Sequence, residues 1–170
     1  MKTWLITGGV GFIGLNLIGL LFKKFPDDLI INLDQLNKSS YLPGLNQIKK
    51  NRSHHFIKGN IGDSILVEKI FNEYKPDFVI NLAAETHVDR SISNPRLFVE
   101  SNVVGVLNIL EKSKKYWNSL SRVKKTGFGF FRFQPMKFTG HWIKLGPVLQ
   151  KKPDIHQTTP ILQRRLVLII

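Results

Sequence analysis

A doubly wound parallel α/β sheet is the fold class that this 170-residue sequence predicts, on three observations. The string Thr7-Gly8-Gly9-Val10-Gly11-Phe12-Ile13-Gly14 follows one apolar run, Trp4-Leu5-Ile6, and opens another, Leu15 to Phe22, which reads as strand, glycine turn, helix. A carboxylate, Asp34, closes the next apolar run, Leu29-Ile30-Ile31-Asn32-Leu33, about twenty residues beyond the glycines. The run Phe78-Val79-Ile80-Asn81-Leu82-Ala83-Ala84 is almost continuously apolar, as a strand covered on both faces must be.

The glycine turn has a physical logic. Gly8 lets the chain turn off the strand, Gly11 lets backbone N–H groups approach a pyrophosphate, and Gly14 lets the helix lie close to the sheet. The helix N-terminus then faces the anion. Asp34 is placed to accept hydrogen bonds from an adenosine ribose and to repel a 2′-phosphate, which favours NAD over NADP. A polar loop follows from Asn37 to Asn46, with Pro43-Gly44 as its turn, and Gln47 to Arg52 is a candidate short helix. His54-His55-Phe56-Ile57-Lys58-Gly59 reads as the third strand. Adjacent strand residues point to opposite faces, so the two histidines are read as structural rather than as ligands of one metal. Asn60-Ile61-Gly62-Asp63 is a turn in which Asp63 or Ser64 can cap a helix running to Tyr74, and Lys75-Pro76-Asp77 ends that helix.

The strand ending at Ala84 belongs beside the first strand, across the topological switch point. Ligands bind there, outside the carboxyl ends of the strands. Glu85, Thr86, His87, Asp89 and Arg90 are therefore site candidates on geometry. A long helix is predicted from Asn94-Pro95 to Trp117, since Pro95 suits a first turn. Along it Phe98, Ser101, Asn102, Gly105, Asn108 and Ile109 recur at helical spacing. One side can thus be small and polar toward a ligand; for Ser101 and Asn102, ordinary helix packing is an equal reading.

Composition narrows the classes. The chain has no cysteine, which excludes disulfides, thiolate catalysis and cysteine metal sites. No stretch is apolar enough for long enough to span a membrane. The apolar N-terminus is not read as a signal peptide, given its glycines, Asn16 and the missing small-residue cleavage site. The net charge is +13, but residues 1–110 are near balance; the excess begins at Lys112-Ser113-Lys114-Lys115 and runs through Arg122, Lys124, Lys125, Lys151, Lys152, Arg164 and Arg165. No nucleic-acid motif accompanies it, so a basic surface is read in preference to a specific nucleic-acid site.

Three strings then carry a resemblance: the glycine turn itself; Leu82-Ala83-Ala84-Glu85-Thr86-His87-Val88-Asp89-Arg90-Ser91-Ile92; and Phe98-Val99-Glu100-Ser101-Asn102-Val103-Val104-Gly105. Together they resemble the dTDP-glucose 4,6-dehydratases, a family of extended short-chain dehydrogenases/reductases, from Lys2 to about Trp117 and more loosely to Phe133. The first string is shared by the wider superfamily; the second is specific to this family and close relatives. The resemblance implies a Rossmann-like domain over residues 1–133. It implies an NAD site lined by Gly8, Gly11, Phe12, Ile13, Gly14, Asp34, Leu36, Asn37, Asn60, Ile61, Leu82, Ala83, Ala84, Glu85 and Thr86, with Ser101 nearby. Thr86 and His87 would meet the sugar nucleotide, dTDP-glucose. Asn60 stands where the family usually has Asp, and the loop after Asp34 matches poorly. Family members act in the cytoplasm as homodimers, pairing through helices that include the one ending at Trp117.

The family's chemistry implies what should follow. NAD takes a hydride from C4 of the glucose, water leaves across C5–C6, and the hydride returns to C6. A Tyr with a Lys four residues on, and a Thr-Asp-Glu string, supply the proton transfers. The printed chain has neither, and no Tyr at all after Phe133, so catalytic inactivity is expected and no catalytic residue is assigned. The tail suggests a cause. Read as codons one nucleotide earlier, Gln134 to Gly140 permits Ser-Thr-Asp-Glu-Val-Tyr-Gly, and Ile155 to Val167 permits a string containing Tyr-x-x-x-Lys. Residues 134–170 are therefore expected to be an irregular, out-of-frame tail rather than a native domain. They would leave the last strand with a bare apolar edge and the chain marginally stable. Two other classes stay open: a sugar-nucleotide epimerase or reductase relative, and a basic non-enzymatic binding module.

Overall fold

The computed structural model describes residues 1–87, 92–133 and 167–168. In chain order these form β1 (Thr3–Thr7), α1 (Phe12–Lys24), β2 (Leu29–Asp34), α2 (Leu42–Ile48), β3 (His54–Lys58), α3 (Ser64–Tyr74) and β4 (Phe78–Asn81). A long helix follows in three joined pieces: α4 (Pro95–Val99), a π-helical turn (Glu100–Val104) and α5 (Gly105–Ser119). Then come α6 (Arg122–Gly127), β5 (Gly129–Arg132) and the two-residue β6 (Val167–Leu168).

The sheet order is β3-β2-β1-β4-β5-β6, with the first five strands parallel and β6 antiparallel to β5. This is the doubly wound order that the sequence predicts, with the switch point between β1 and β4. Thr7 pairs with Leu33 on one side and Asn81 on the other, so three strands end level. The loops after β1, β2 and β4 thus leave from one edge, with the glycine turn in the middle.

Alternation along the strands builds two cores. Leu5, Ile31 and Val79 face a cluster with Val67, Ile70 and Phe71 of α3 and Val106 and Ile109 of α5. Their neighbours Ile6 and Ile30 face Ile18 and Leu21 of α1 on the other side. Burying each such side chain contributes about 1.5–3 kcal/mol, before chain entropy is set against it. The ends of the elements follow local chemistry. Asp63 caps α3 by accepting from the N–H groups of Ile65 and Leu66. Lys75, at φ 48°, closes α3 in the left-handed conformation, its N–H donating to Phe71 O. Asn94 caps α4, with Pro95 in the first turn.

Three expectations are corrected. Pro43-Gly44 is not a turn but the opening of α2, and Gln47 to Arg52 straddles that helix's end. The cause is tertiary: Tyr41 N–H donates to Val10 O at 3.0 Å, and Gly44 lies against Leu15 of α1. Strand β4 stops at Asn81, three residues early, because Leu82 to His87 turn away along the crevice. The edge of β5 is not bare, since β6 pairs Leu168 with Phe131 and Val167 with Arg132. Unpaired strand backbone readily takes up an extended segment. The other readings made on residues 134–170 lie outside the described residues.

Candidate functional site

The glycine turn is packed so tightly that its glycines divide into two kinds. Gly8 has φ +71°, and a Cβ there would lie 2.6 Å from Ala83 N. A Cβ on Gly14 would come within 2.5 Å of Gly8 O and Gly9 Cα. One on Gly9 would overlap the side-chain amide of Asn32, a contact that reading the motif alone missed. The fold itself requires these three. Gly11 differs: a Cβ there would meet only Gly8 O, at an ordinary 3.4 Å. Gly11 is the N-cap of α1, no side chain caps that helix, and no acid stands in its first turn. Its first N–H groups have no intrahelical partner, and the helix dipole adds partial positive charge. Phe12 is 84% exposed and Ile13 41% exposed beside this opening.

Asp34 is tied into the turn directly. Its Oδ2 accepts from Val10 N–H at 3.0 Å, and its Oδ1 from Leu36 N–H at 2.8 Å and Ser40 Oγ at 3.3 Å. Gly8 N–H donates to Leu33 O at 2.9 Å, next door in the chain. A carboxylate offers about four lone-pair positions. Three protein donors therefore leave little more than one for a ribose hydroxyl, unless Ser40 yields its long bond. Leu36 holds φ +59°, which bends the loop back toward the carboxylate.

The segment after β4 forms the other wall. The Thr7 hydroxyl donates to Asn81 Oδ1 beneath it. Asn102, in the π-helical turn, grips the Glu85 peptide on both sides: its Oδ1 accepts from Glu85 N–H at 2.8 Å, and its Nδ2 donates to Glu85 O at 2.9 Å. The turn sets this geometry through an i to i+5 bond from Gly105 N–H to Glu100 O. Such turns recur at functional sites. The Asn102 side chain thereby holds the loop. Glu85 is 4% exposed and accepts from Asn37 Nδ2 at 2.8 Å. Thr86 and His87 are exposed, with His87 Nε2 2.9 Å from Ser39 Oγ. Arg132, at the end of β5, approaches Asn102 O at 3.5 Å, and burial lowers the pKa of its guanidinium. Gln35, Leu36, Asn37, Lys38, Glu85, Asn94 and Leu97 line an open concavity between the two loops.

Gly8, Gly11, Phe12, Ile13, Gly14, Asp34, Leu36, Asn37 and Leu82 to His87 thus gather along one edge. Asn60 is exposed beyond it, with Nδ2 donating to Gln35 Oε1 at 3.2 Å and Oδ1 accepting from Gly62 N–H. The Ile61 side chain lies in the core, against Gly105, and Ile61 O accepts from Asn108 Nδ2 at 2.6 Å. Ser101 is half-buried beside Asn102. Asp89 and Arg90 lie outside the described residues. His54 is buried against Asn32 and Phe22, and burial, aided by His55 and Lys49, lowers its pKa to about 4. His55 Nδ1 meets Tyr74 Oη at 3.3 Å. No group of three metal-ligating side chains occurs among the described residues. Nor is any described helix long and apolar enough to cross a membrane.

The sequence and the fold are similar to those of known proteins. The dTDP-glucose 4,6-dehydratase of Xanthomonas campestris strain B100 is 39% identical over 153 residues, 90% of this chain and 43% of the relative. That of Salmonella typhimurium is 42% identical over 126 residues, 74% of this chain and 35% of the relative. The chain spans less than half the length of these relatives. Among solved structures, dTDP-glucose 4,6-dehydratase from Bacillus anthracis in complex with NAD superposes with a TM-score of 0.65 at 26% identity, over 90% of this chain and 46% of that one. A UDP-glucose 4-epimerase from Thermotoga maritima with UDP-glucose gives 0.59 at 34% identity, over 67% of this chain and 34% of that one. Residues 5–128 match the family model for GDP-mannose 4,6 dehydratase, and the chain belongs to that family.

Proposed function

We propose that residues 1–133 are the NAD-binding part of a sugar-nucleotide 4,6-dehydratase whose substrate is dTDP-glucose, and that this 170-residue chain does not turn over alone. One observation carries the cofactor reading: a glycine turn opening a bare helix N-terminus is hydrogen-bonded to the carboxylate that ends the neighbouring strand. The residues fit the group. Gly11 leaves backbone uncovered where a pyrophosphate would sit, although the fold would tolerate a side chain there. Asp34 keeps a lone pair for a ribose hydroxyl, and its three donors among the described residues are Val10 N–H, Leu36 N–H and Ser40 Oγ, none of them a cation. Bound NAD supplies the redox chemistry; this chain's residues bind and orient it. Thr86 and His87, exposed past the Asn102 clamp, are the residues for the sugar nucleotide.

The proton-transfer groups are a separate matter. The chain's three tyrosines are Tyr41, Tyr74 and Tyr116, and none is followed four residues on by Lys. In this reading residues 134–170 are out of frame, and sequencing the gene tests it: bases that fail to spell Ser-Thr-Asp-Glu one nucleotide back remove the explanation. The exposed apolar stripe of Val99, Val103 and Leu107 is the face for a homodimer. The epimerase likeness supports a second reading, a UDP-sugar enzyme, which a panel of dTDP- and UDP-sugars separates from the first. A specific nucleic-acid partner is not favoured, since Lys112 and Lys115 of the basic region are both bonded to Glu68.

The decisive experiment is NAD titration of the purified chain by calorimetry, with Gly11→Val as control. We expect saturable binding to the parent, weakened at least about tenfold in a variant that melts normally, because the valine occupies the pyrophosphate's place. Equal affinity in the two would remove the assignment.

A further inference from the structure

Two loops at the carboxyl edge are joined by a pair of side-chain bonds that the glycine motif does not announce. Asn37 and Ser39, two residues apart, follow β2; Glu85 and His87, also two apart, follow β4. The inner bond is Asn37 Nδ2 to Glu85 Oε1 at 2.8 Å, with Glu85 4% exposed. The outer one joins Ser39 Oγ and His87 Nε2 at 2.9 Å, with both residues exposed. Each side is anchored behind. Asn37 Oδ1 accepts from Ser39 N–H at 2.9 Å, and the loop returns to Asp34 through Ser40 Oγ. The Glu85 peptide is gripped by Asn102.

Strand β1 lies between β2 and β4, so these bonds join loops that leave from either side of it. We propose that Asn37 is a positioning residue: through Glu85 it locks the ribose-side loop to the β4 segment, so that a dinucleotide held at Asp34 meets Thr86 in a fixed place. The inference rests on the nucleotide-binding reading above. Its physical content is preorganisation. A ligand that touches both walls gains when the walls are already fixed relative to each other. A ligand that touches one wall does not. The buried bond is the one that matters, because a hydrogen bond to a charged group away from water contributes more than an exposed neutral one.

The test compares a long and a short ligand on the full chain. AMP reaches only the Asp34 side, whereas NAD reaches both. In Asn37→Ala, NAD affinity should fall about tenfold, and AMP affinity by clearly less. Asn37→Asp sets two carboxylates together and should do at least as much harm. Melting curves on each variant check folding. Equal losses for AMP and NAD would overturn the tie while leaving the cofactor site standing. If the parent chain binds neither ligand, the cofactor reading fails and the tie with it.

Discussion

The two edges of the sheet use the same chemistry for opposite ends. At the amino edge, Asp28 accepts from Lys2 N–H at 2.7 Å and Trp4 Nε1 at 2.9 Å, and Asp77 accepts from Thr3 N–H at 2.9 Å. Those carboxylates fasten strand starts together, and Trp4, stacked on Phe25 and Phe78, closes the end. At the carboxyl edge, Asp34 likewise accepts backbone N–H groups, but they belong to loops, and the helix N-terminus beside it has no cap. A carboxylate with its donors packed under aromatic rings is architecture. The same group bordering an uncapped helix is, in the proposed reading, the place for a ribose. The difference lies in what the neighbours leave unsatisfied.

The largest expected effect probes where the carboxyl edge stops being site and becomes scaffold. Gly14→Val forces a side chain into Gly8 O and Gly9 Cα, and should cost roughly 3 kcal/mol or more, read by denaturant melts. If Gly11→Val proved as damaging to the fold, the division between the two kinds of glycine would be wrong.

Next comes acid sensitivity, centred on neither edge. His54 has a folded pKa of about 4, below its ordinary 6.5, so the unfolded chain takes up a proton that the folded one refuses. Stability is full above about pH 6.5 and falls as pH drops toward 4, by an amount on the order of 3 kcal/mol. Melting temperature against pH should show that slope, and His54→Leu should flatten it. A slope unchanged in the variant would place the sensitivity elsewhere.

A direct contrast of the edges is smaller. Asp28→Ala strips partners from Lys2 N–H and Trp4 Nε1 and should cost about 1–3 kcal/mol of stability without altering NAD affinity. Asp34→Ala should reduce both. An Asp28 variant that lost NAD affinity would break the comparison. The smallest effect lies outside both edges. Lys112 and Lys115 hold the Glu68 carboxyl at a pKa of about 2, so its share of stability is present above its ordinary 4.5 and is lost as pH falls toward 2. The group is exposed and screened, so Glu68→Gln should move the melt by little, and by less still in high salt.

Much of the arrangement at the carboxyl edge was legible in the sequence. Gly8, Gly14 and Asp34 are separated by spacings that one strand–turn–helix unit fixes, and the structure packs Gly14 on the turn and bonds Asp34 to Val10 within it. Asn102 was half legible: helical spacing placed it on the right face, but its partner lies 17 residues earlier across an irregular loop. Asn37 and Glu85 are 48 residues apart, and nothing in either local string marks them as a pair. The start of α2 was misread because Pro and Gly carry their usual turn signal there. A bond from Tyr41 to Val10 and packing on Leu15 outweigh it.

The amino-acid sequence by itself determined the order of strands and helices, the two-faced alternation of the core, and a turn that only glycine can make, since these depend on periodicity and backbone sterics within a few residues. The tertiary structure alone decided which glycine faces open space, how many of Asp34's lone pairs remain, and which loops hold each other. Those depend on distances between segments far apart in the chain, which local pattern cannot encode.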